Sequence, residues 1–567
     1  MEVIAFLAVL FGIVALFFAN GVRQEKKYWQ NEKRRLKNAY GKLPDKQWKQ
    51  EQYMGIERYH ERHKDGFSID DITWNDLGMD AIFHRIDYTL SRTGAEYLYH
   101  MLRSPKQPEV LAEREKKIDY FRQHEEERLS LQLKFARLGG MEKYSLYDYL
   151  DRLSELKDQG NLRHYICIVL LLVSGAVMCV TPGIGGGLFF LVLCYNIFSY
   201  LHEKGKVAPY LTSFTYILRL FHATVELEKL KLSGIRKETE ELAKIRKEFQ
   251  GFRRGSGLVM SMGGSADPLG LILDYVRMIF HFDLIRFYQM KHFLMQHIPE
   301  IDRMISIWGE LELMVDIVMF RASLEQEEKD WCLPVFAEEG EHERNAVFLM
   351  EKGYYPLLTK AVGNSLEVSK GVLLTGSNAS GKSTFLKTCA VNILFAQTLH
   401  TCLAEKMVLV PGRLYSSMSL KDDILAGKSY YMVEIGALKR IMDARLSCGE
   451  MIYCFVDEVL RGTNTIERIA ASTELLKTLN GEKILCFAAT HDMELTVLLS
   501  EEYENYHFEE EMGKTDVRFS YELKKGAAST RNAIRLLQIM GYDRGVVERA
   551  EMRAEEFLRT GIWKRGV

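Results

Sequence analysis

The sequence predicts an α/β P-loop NTPase at the C-terminus, preceded by an all-α domain with transmembrane helices. Three observations lead there. "GVLLTGSNASGKSTFLKTCAVNILFAQ" (371–397) places G-x-x-x-x-G-K-S between an apolar strand and a helix. Two more apolar strands follow and end in polar residues, "EMIYCFVDEVLRGTNT" (450–465) and "KILCFAATHDMEL" (483–495). The N-terminal half is helical in pattern and broken by long uncharged apolar stretches.

Composition sets the frame. At 567 residues the chain is long enough for several cores, and 47% hydrophobic with 27% charged residues excludes a mostly disordered protein. A formal net charge of −2 gives no global attraction to nucleic acid, so any such surface must be local. Nine cysteines are scattered without a C-x-x-C pair, and Cys167, Cys179 and Cys194 fall in apolar runs. They read as buried structural thiols in a reducing compartment.

From the N-terminus, Val3 to Ala19 carries no charge and is long enough to cross a hydrocarbon core of ~30 Å. Arg23, Lys26 and Lys27 follow it, which predicts an uncleaved anchor with its C-terminal end inside. Residues 23–50 are rich in Lys and Arg, with Tyr28, Trp29, Tyr40 and Trp48 interleaved. That pattern suits anionic lipid headgroups first and a nucleic-acid backbone second. A second uncharged stretch, His164 to His202, is interrupted by "TPGIGGG" (181–187), read as a turn between two helices. Basic residues flank it on both sides, so the expectation is a hairpin that enters and leaves from the cytoplasm, with a re-entrant hairpin as the alternative. Residues 225–254 are helical with mixed charge and read as a solvated face.

The phosphate loop comprises Gly376, Ser377, Asn378, Ala379, Ser380, Gly381, Lys382, Ser383 and Thr384. Glycines let backbone amides close around phosphates, the helix N-terminus adds its dipole, and Lys382 neutralises charge. Ser383 offers a hydroxyl to Mg²⁺, and Asp457 suits the same metal shell. Glu458 suits polarisation of an attacking water, and His491 stands where it would feel the γ-phosphate. In this order the residues predict nucleotide hydrolysis with Mg²⁺.

Gly-Lys-Ser recurs at 427–429 in "DDILAGKSYYMVEI" (422–435). Asp422 stands where a second phosphate loop needs glycine, and no strand is expected before it, so it is not a second P-loop. It lies where transporter-type ATPases carry a signature that touches nucleotide across a dimer.

"GSNASGKSTF", "DDILAGKSYYMVE", "FVDEVLRGTNT" and "ATHDMEL" together resemble the MutS family of DNA mismatch-repair ATPases. "YELKKGAASTRNAIRLLQIMGYDRGVVERA" resembles that family's closing strand and helices, and "IDYTLSRTGAEYLYHMLRSP" (86–105) the start of its helical core. The resemblance implies a homodimer with composite ATP sites and DNA as a partner. Ser429 would reach the γ-phosphate held by the other copy, Glu434 would brace the signature helix, and Arg461 to Thr465 would cross the dimer axis. Asn364 and Tyr355 would lie at the nucleotide, Tyr355 stacking on adenine.

Two features depart from the family's pattern. Tyr355-Pro356 stands in place of His-Pro, and the signature reads Gly-Lys-Ser-Tyr-Tyr. A mismatch-reading domain with a Phe-x-Glu wedge is not expected before the core, and Phe336-Ala337-Glu338 is read as chance.

The expected domains are an anchor over 1–23, a basic juxtamembrane segment over 24–67, and the first part of the helical core over 68–160. A transmembrane hairpin over 161–203, the second core part with lever helices over 204–330 and the ATPase with dimerisation helices over 331–567 complete the chain. The expected place is the cell membrane, held by three apolar segments, with the ATPase cytoplasmic. A motor acting on a protein or envelope client without DNA is the alternative. A transporter is disfavoured because few spans exist and none holds a charge.

Overall fold

The computed structural model describes residues 2–563 except 47, 49, 141–143, 157–159, 254–274, 338–346, 378, 379, 419–429, 448, 462, 482, 513–516 and 529–532. At 2–18, 51, 52, 209, 212, 213, 250, 253, 430, 431, 510–512, 517, 518, 533, 535 and 536 it describes the backbone alone. The chain forms two compact units, one of residues 1–63, 87–100 and 116–320, the other of 64–86, 101–115 and 321–567.

The first unit is helical. Helix α1 (Glu2–Ala39) carries the first apolar segment and continues without a break into the basic one as far as Ala39. The basic segment is turned toward its own unit more than the sequence suggests. Lys33 and Lys37 pair with Glu126 and Glu125 of α2 (Glu125–Leu138) at 2.6 and 3.1 Å. Arg137 and Arg128 lie 4.7 and 4.3 Å from the rings of Trp29 and Tyr40. Two of the aromatics expected at an interface thus make cation–π contacts inside the unit.

Helices α3 (Leu162–Val180) and α4 (Pro182–Val207) are long and apolar enough to cross a membrane, with 22% of each apolar window buried. A soluble core helix would be mostly buried. Here Val169, Leu172, Val180, Ile184, Leu191 and Phe198 are exposed. The turn is tighter than read from "TPGIGGG": only Thr181 separates the helices, and all four glycines belong to α4. Pro182 starts that helix, where its missing N–H costs nothing. Gly185 is needed for proximity, since a Cβ there would lie 2.5 Å from Met178 Cα. Cys167 is buried as expected, whereas Cys179 and Cys194 are exposed on the hairpin's outer side.

Behind the hairpin, α5 (Leu211–Leu230), α6 (Arg236–Glu248), α7 (Phe282–Gln296) and α8 (Ile298–Gln326, in this unit through Phe320) build an aromatic core. Phe221 and Phe249 lie 4.7 Å apart, Phe214 and Phe287 5.0 Å. Charges on the mixed face pair off: Arg246 with Glu228 and Arg303 with Glu241, each at 2.6 Å. Two buried acids of α8 organise the stretch that resembles the core. Asp316 accepts from the Tyr88 amide at 2.6 Å, and Glu312 accepts from Leu90 and Ser91 at 2.5 and 3.0 Å. Burial pushes the Glu312 carboxyl up to about 7.

The second unit holds two sheets. Strands β1 (Val335–Phe336), β2 (Phe348–Gly353), β3 (Asn364–Val368) and β5 (Lys406–Leu409) make one in the order β1-β5-β2-β3. The other contains β4 (Gly371–Thr375), β6 (Gly412–Ser417), β7 (Met451–Asp457), β8 (Ile484–Ala489), β9 (Tyr503–Met512) and β10 (Val517–Lys525), ordered β10-β9-β4-β8-β7-β6. All its pairings are parallel except β9–β10. Residues of β4 and β8 are buried throughout, as unbroken apolar runs require in a sheet covered on both faces. Helices α9 (Lys382–Thr398), α10 (Tyr430–Ser447) and α11 (Thr465–Thr478) supply cover, and α12 (Ala533–Ile539) and α13 (Arg544–Thr560) close the chain. The face toward α10 and α11 packs Leu438, Ile441, Leu476 and Leu479 against Ile452, Val456 and Cys486.

Candidate nucleotide site

The carboxyl ends of β4, β7 and β8 lie side by side, with Leu374 and Asp457 both paired to Ala489. Parallel sheets place ligands at that edge. Beyond β4, Gly376 and Gly381 have φ of 139° and 108°, which a side chain rarely adopts. A Cβ on Gly376 would stand 2.9 Å from the Phe508 carbonyl oxygen of β9 and 3.0 Å from Ser380 Oγ within the turn. The Lys382 ammonium donates to the carbonyls of Gly376 and Ser377 at 2.7 and 2.8 Å, and Ser380 Oγ donates to Ser377 O at 2.8 Å. The loop then enters α9, a seventeen-residue helix capped by Gly381, whose N-terminus carries the positive end of the helix dipole.

Ser383 Oγ donates to Asp457 Oδ2 at 2.5 Å, bringing together the two expected metal ligands. Burial pushes the Asp457 carboxyl up, more than the Ser383 bond lowers it, and the Glu458 charge adds to the rise. Glu458 behaves oppositely. Burial raises it, but His491, at 2.9 Å from its Oε1, and Arg461 outweigh that and hold the carboxyl below the ordinary range. His491 Nε2 also lies 3.5 Å from Lys382 Nζ, so lysine, histidine and glutamate form one chain.

The turn after β7 is strained. Glu458 and Leu460 have φ of 59° and 57°, conformations costing ~1–3 kcal/mol each for residues with a side chain. Buried Glu434 of α10 accepts the Leu460 amide. Arg468 of α11 forms a two-pronged bond to Asp492 at 2.9 and 2.6 Å, holding the segment that carries His491.

Beside the loop opens a cavity of about 440 Å³, lined by Tyr355, Asn364, Ser377, Lys382, Ser383, Thr384 and Glu458 among others. Tyr355 is fixed by donating from its hydroxyl to Leu77 O at 2.9 Å, leaving its ring on the cavity wall. Asn364 is a tether as well as a wall. Its Nδ2 donates to Tyr521 O at 2.9 Å and its Oδ1 accepts from Leu523 N at 2.7 Å, across the irregularity between Phe519 and Leu523 of β10. Phe508, Tyr521, Lys360 and the Arg461 side chain also line the cavity, and the sequence did not single out the first three. A tyrosine at φ 55° inside a bulged strand leaves no local signal.

Asn378, Ala379 and Ser429 lie outside the described residues. The absence of a strand before the second Gly-Lys-Ser is not upheld: β6 ends at Ser417, five residues before Asp422, as a parallel partner of β7. Hydroxyl-bearing Tyr415, Ser416 and Ser417 hid it, because all three are buried although their side chains are polar. What separates this segment from a second P-loop is Asp422 in place of the leading glycine, and a strand that ends five residues before it, whereas β4 runs directly into Gly376.

The donor set fits a nucleotide with Mg²⁺: a glycine turn that a Cβ would fill, a lysine reaching into it, and a serine–aspartate pair at the start of the helix.

Residues 372–558 match the family model for MutS domain V, an ABC-like P-loop ATPase domain. The DNA mismatch repair protein MutS of a Thermus thermophilus strain is 32% identical over 204 residues, 35% of this chain and 25% of that protein. The protein of that name from Bacillus licheniformis is 27% identical over 301 residues, 50% of this chain and 33% of its own length. The DNA mismatch repair protein MutS 2 of Haloarcula marismortui is 33% identical over 182 residues, 31% and 19% of the two chains. The chain thus spans about a quarter of the length of the Thermus relative.

Proposed function

We propose that this chain, similar to MutS domain V over residues 372–558, is a Mg²⁺-dependent ATPase that works as a homodimer and couples its nucleotide cycle to movement of helical arms on DNA. The observation that carries the reading is the meeting of Lys382, Ser383, Asp457, Glu458 and His491 at one sheet edge.

Lys382 would exchange its two loop carbonyls for β- and γ-phosphate oxygens, with the loop amides and the α9 N-terminus sharing the negative charge. Ser383 and Asp457 would hold Mg²⁺, which supplies charge neutralisation on the phosphate oxygens when bound. Glu458, kept ionised, would take a proton from the attacking water, and His491 would orient that carboxylate. The Tyr355 ring would receive the base. Ser429 of a second copy would complete each site, as the family resemblance implies.

Membrane attachment belongs to the proposal through α3, α4 and the apolar start of α1. The exposed apolar faces of α3 and α4 support it. They also favour a second reading, a motor of the same kind acting on a protein of the envelope without DNA. Turnover of ATP by the full chain in detergent, with and without duplex DNA at low salt, separates the two. Stimulation by DNA is the expected outcome. Turnover indifferent to DNA would favour the envelope client, and no turnover with Mg²⁺ and ATP would end both.

A further inference from the structure

Glu434 poses a problem that the nucleotide reading leaves open. Its side chain is 3% exposed, and burying a carboxylate is costly unless something nearby rewards it. Burial pushes its carboxyl up, against the amides of Leu460 and Arg461 and the more distant Arg461 charge. What it faces is backbone: it accepts the Leu460 N–H, with the Arg461 amide beside it. The family resemblance would have it brace its own helix, yet its bond runs to the turn after β7.

That turn needs an outside hold. Glu458 and Leu460, at φ 59° and 57°, are both left-handed, and neither is glycine. Among the described residues two further bonds hold its backbone: the Glu458 N–H donates to Ala489 O at 2.9 Å, and Ser472 Oγ donates to Val459 O at 3.4 Å. Relaxation of Leu460 to negative φ would swing the preceding residues and move the Glu458 carboxylate away from His491. Helix α10 is itself anchored, since Arg440 bonds Asp70 Oδ1 at 2.7 Å and Ser416 O at 2.6 Å. Glu434 therefore reaches the turn from a fixed support.

We infer that Glu434 is a positioning residue for hydrolysis: its carboxylate, by accepting the Leu460 amide, locks the turn that aims Glu458 at the γ-phosphate. The inference rests on the ATPase reading and adds to it a cause for the strained turn. A substitution that removes the acceptor should lower turnover without touching the phosphate loop. Replacing Leu460 by glycine should make the same conformation free of steric cost and replace part of the lock.

The test is steady-state turnover and nucleotide affinity of the full chain in detergent, with a fluorescent ATP analogue as binding probe. Glu434→Ala should lose at least about tenfold in kcat while analogue affinity stays within about twofold. Glu434→Gln, which keeps an acceptor oxygen, should retain at least about a third of parental kcat. Glu434→Ala with Leu460→Gly should recover at least about threefold over Glu434→Ala alone, a gain that general loosening of the core would not give. Parental kcat in Glu434→Ala, equal loss in the Gln and Ala variants, or no recovery in the double variant would each overturn the assignment while leaving the ATPase reading in place. A parent chain without turnover would overturn both.

Discussion

Lys382 is satisfied by its own loop, with two carbonyls within 2.8 Å, so truncating it removes a phosphate ligand and a strut together. Lys382→Ala should abolish binding of a fluorescent ATP analogue; retained binding would remove Lys382 from the phosphate site. Glu458→Gln should keep analogue affinity within about threefold and lower kcat by about a hundredfold or more, the range of a lost general base. The pH dependence follows from the neighbours of Glu458. Burial raises its carboxyl, but His491 and Arg461 outweigh that and hold it low, so loss of the Glu458 base should come on acidification below the ordinary carboxylate range. In His491→Ala one source of that lowering is gone, the carboxyl rises, and the acid limb of the kcat profile should move to higher pH. Superimposable acid limbs would detach His491 from Glu458. These residues were legible because phosphate chemistry restricts both type and spacing over a few positions. Phe508 and Tyr521 were not, because they reach the cavity through the register of β9 and β10, which pair residues such as Phe508 and Leu523 across a bulge.

At the scale of elements, continuous apolar runs identified β4, β7 and β8, and hydroxyl residues hid β6. The glycine cluster at 183–187 was read as a turn because glycine punctuates chains. In the structure only Gly185 is required by contact, where α4 crosses the Val177–Met178 backbone of α3. Gly185→Leu should force the pair apart and reduce the yield of folded protein in detergent, judged by size-exclusion profile and thermal midpoint. Gly186→Leu, with nothing within 4 Å of its Cβ position, should not. Equal behaviour of the two variants would show that α3 and α4 do not pack as described. The charge pattern of 225–254 was legible where its own acids and bases pair, as in Arg246–Glu228, and not where Glu241 pairs with Arg303 of α8. Such surface pairs contribute little to stability.

For the whole molecule, the sequence pointed to a helical half and an α/β half. Residues 64–86 and 101–115 nevertheless belong to the unit that contains the α/β sheets, a membership set by tertiary packing and carried by no local pattern. The proposed dimer makes its own prediction. Lys382→Ala lacks a working phosphate site but keeps Ser429, and Ser429→Ala has the reverse defect. Mixing the two inactive proteins should restore turnover to about a quarter of parental level if subunits exchange freely and each site draws on both chains. No recovery after demonstrated exchange would argue for self-contained sites.

The single residue between α3 and α4 has a consequence for biogenesis. With Thr181 alone at the tip, no hydrophilic loop has to be carried through lipid. In the proposed membrane attachment, the two apolar rods would enter a bilayer in one concerted step, leaving the flanks of the hairpin, Asn161 and Ala208, on the same side.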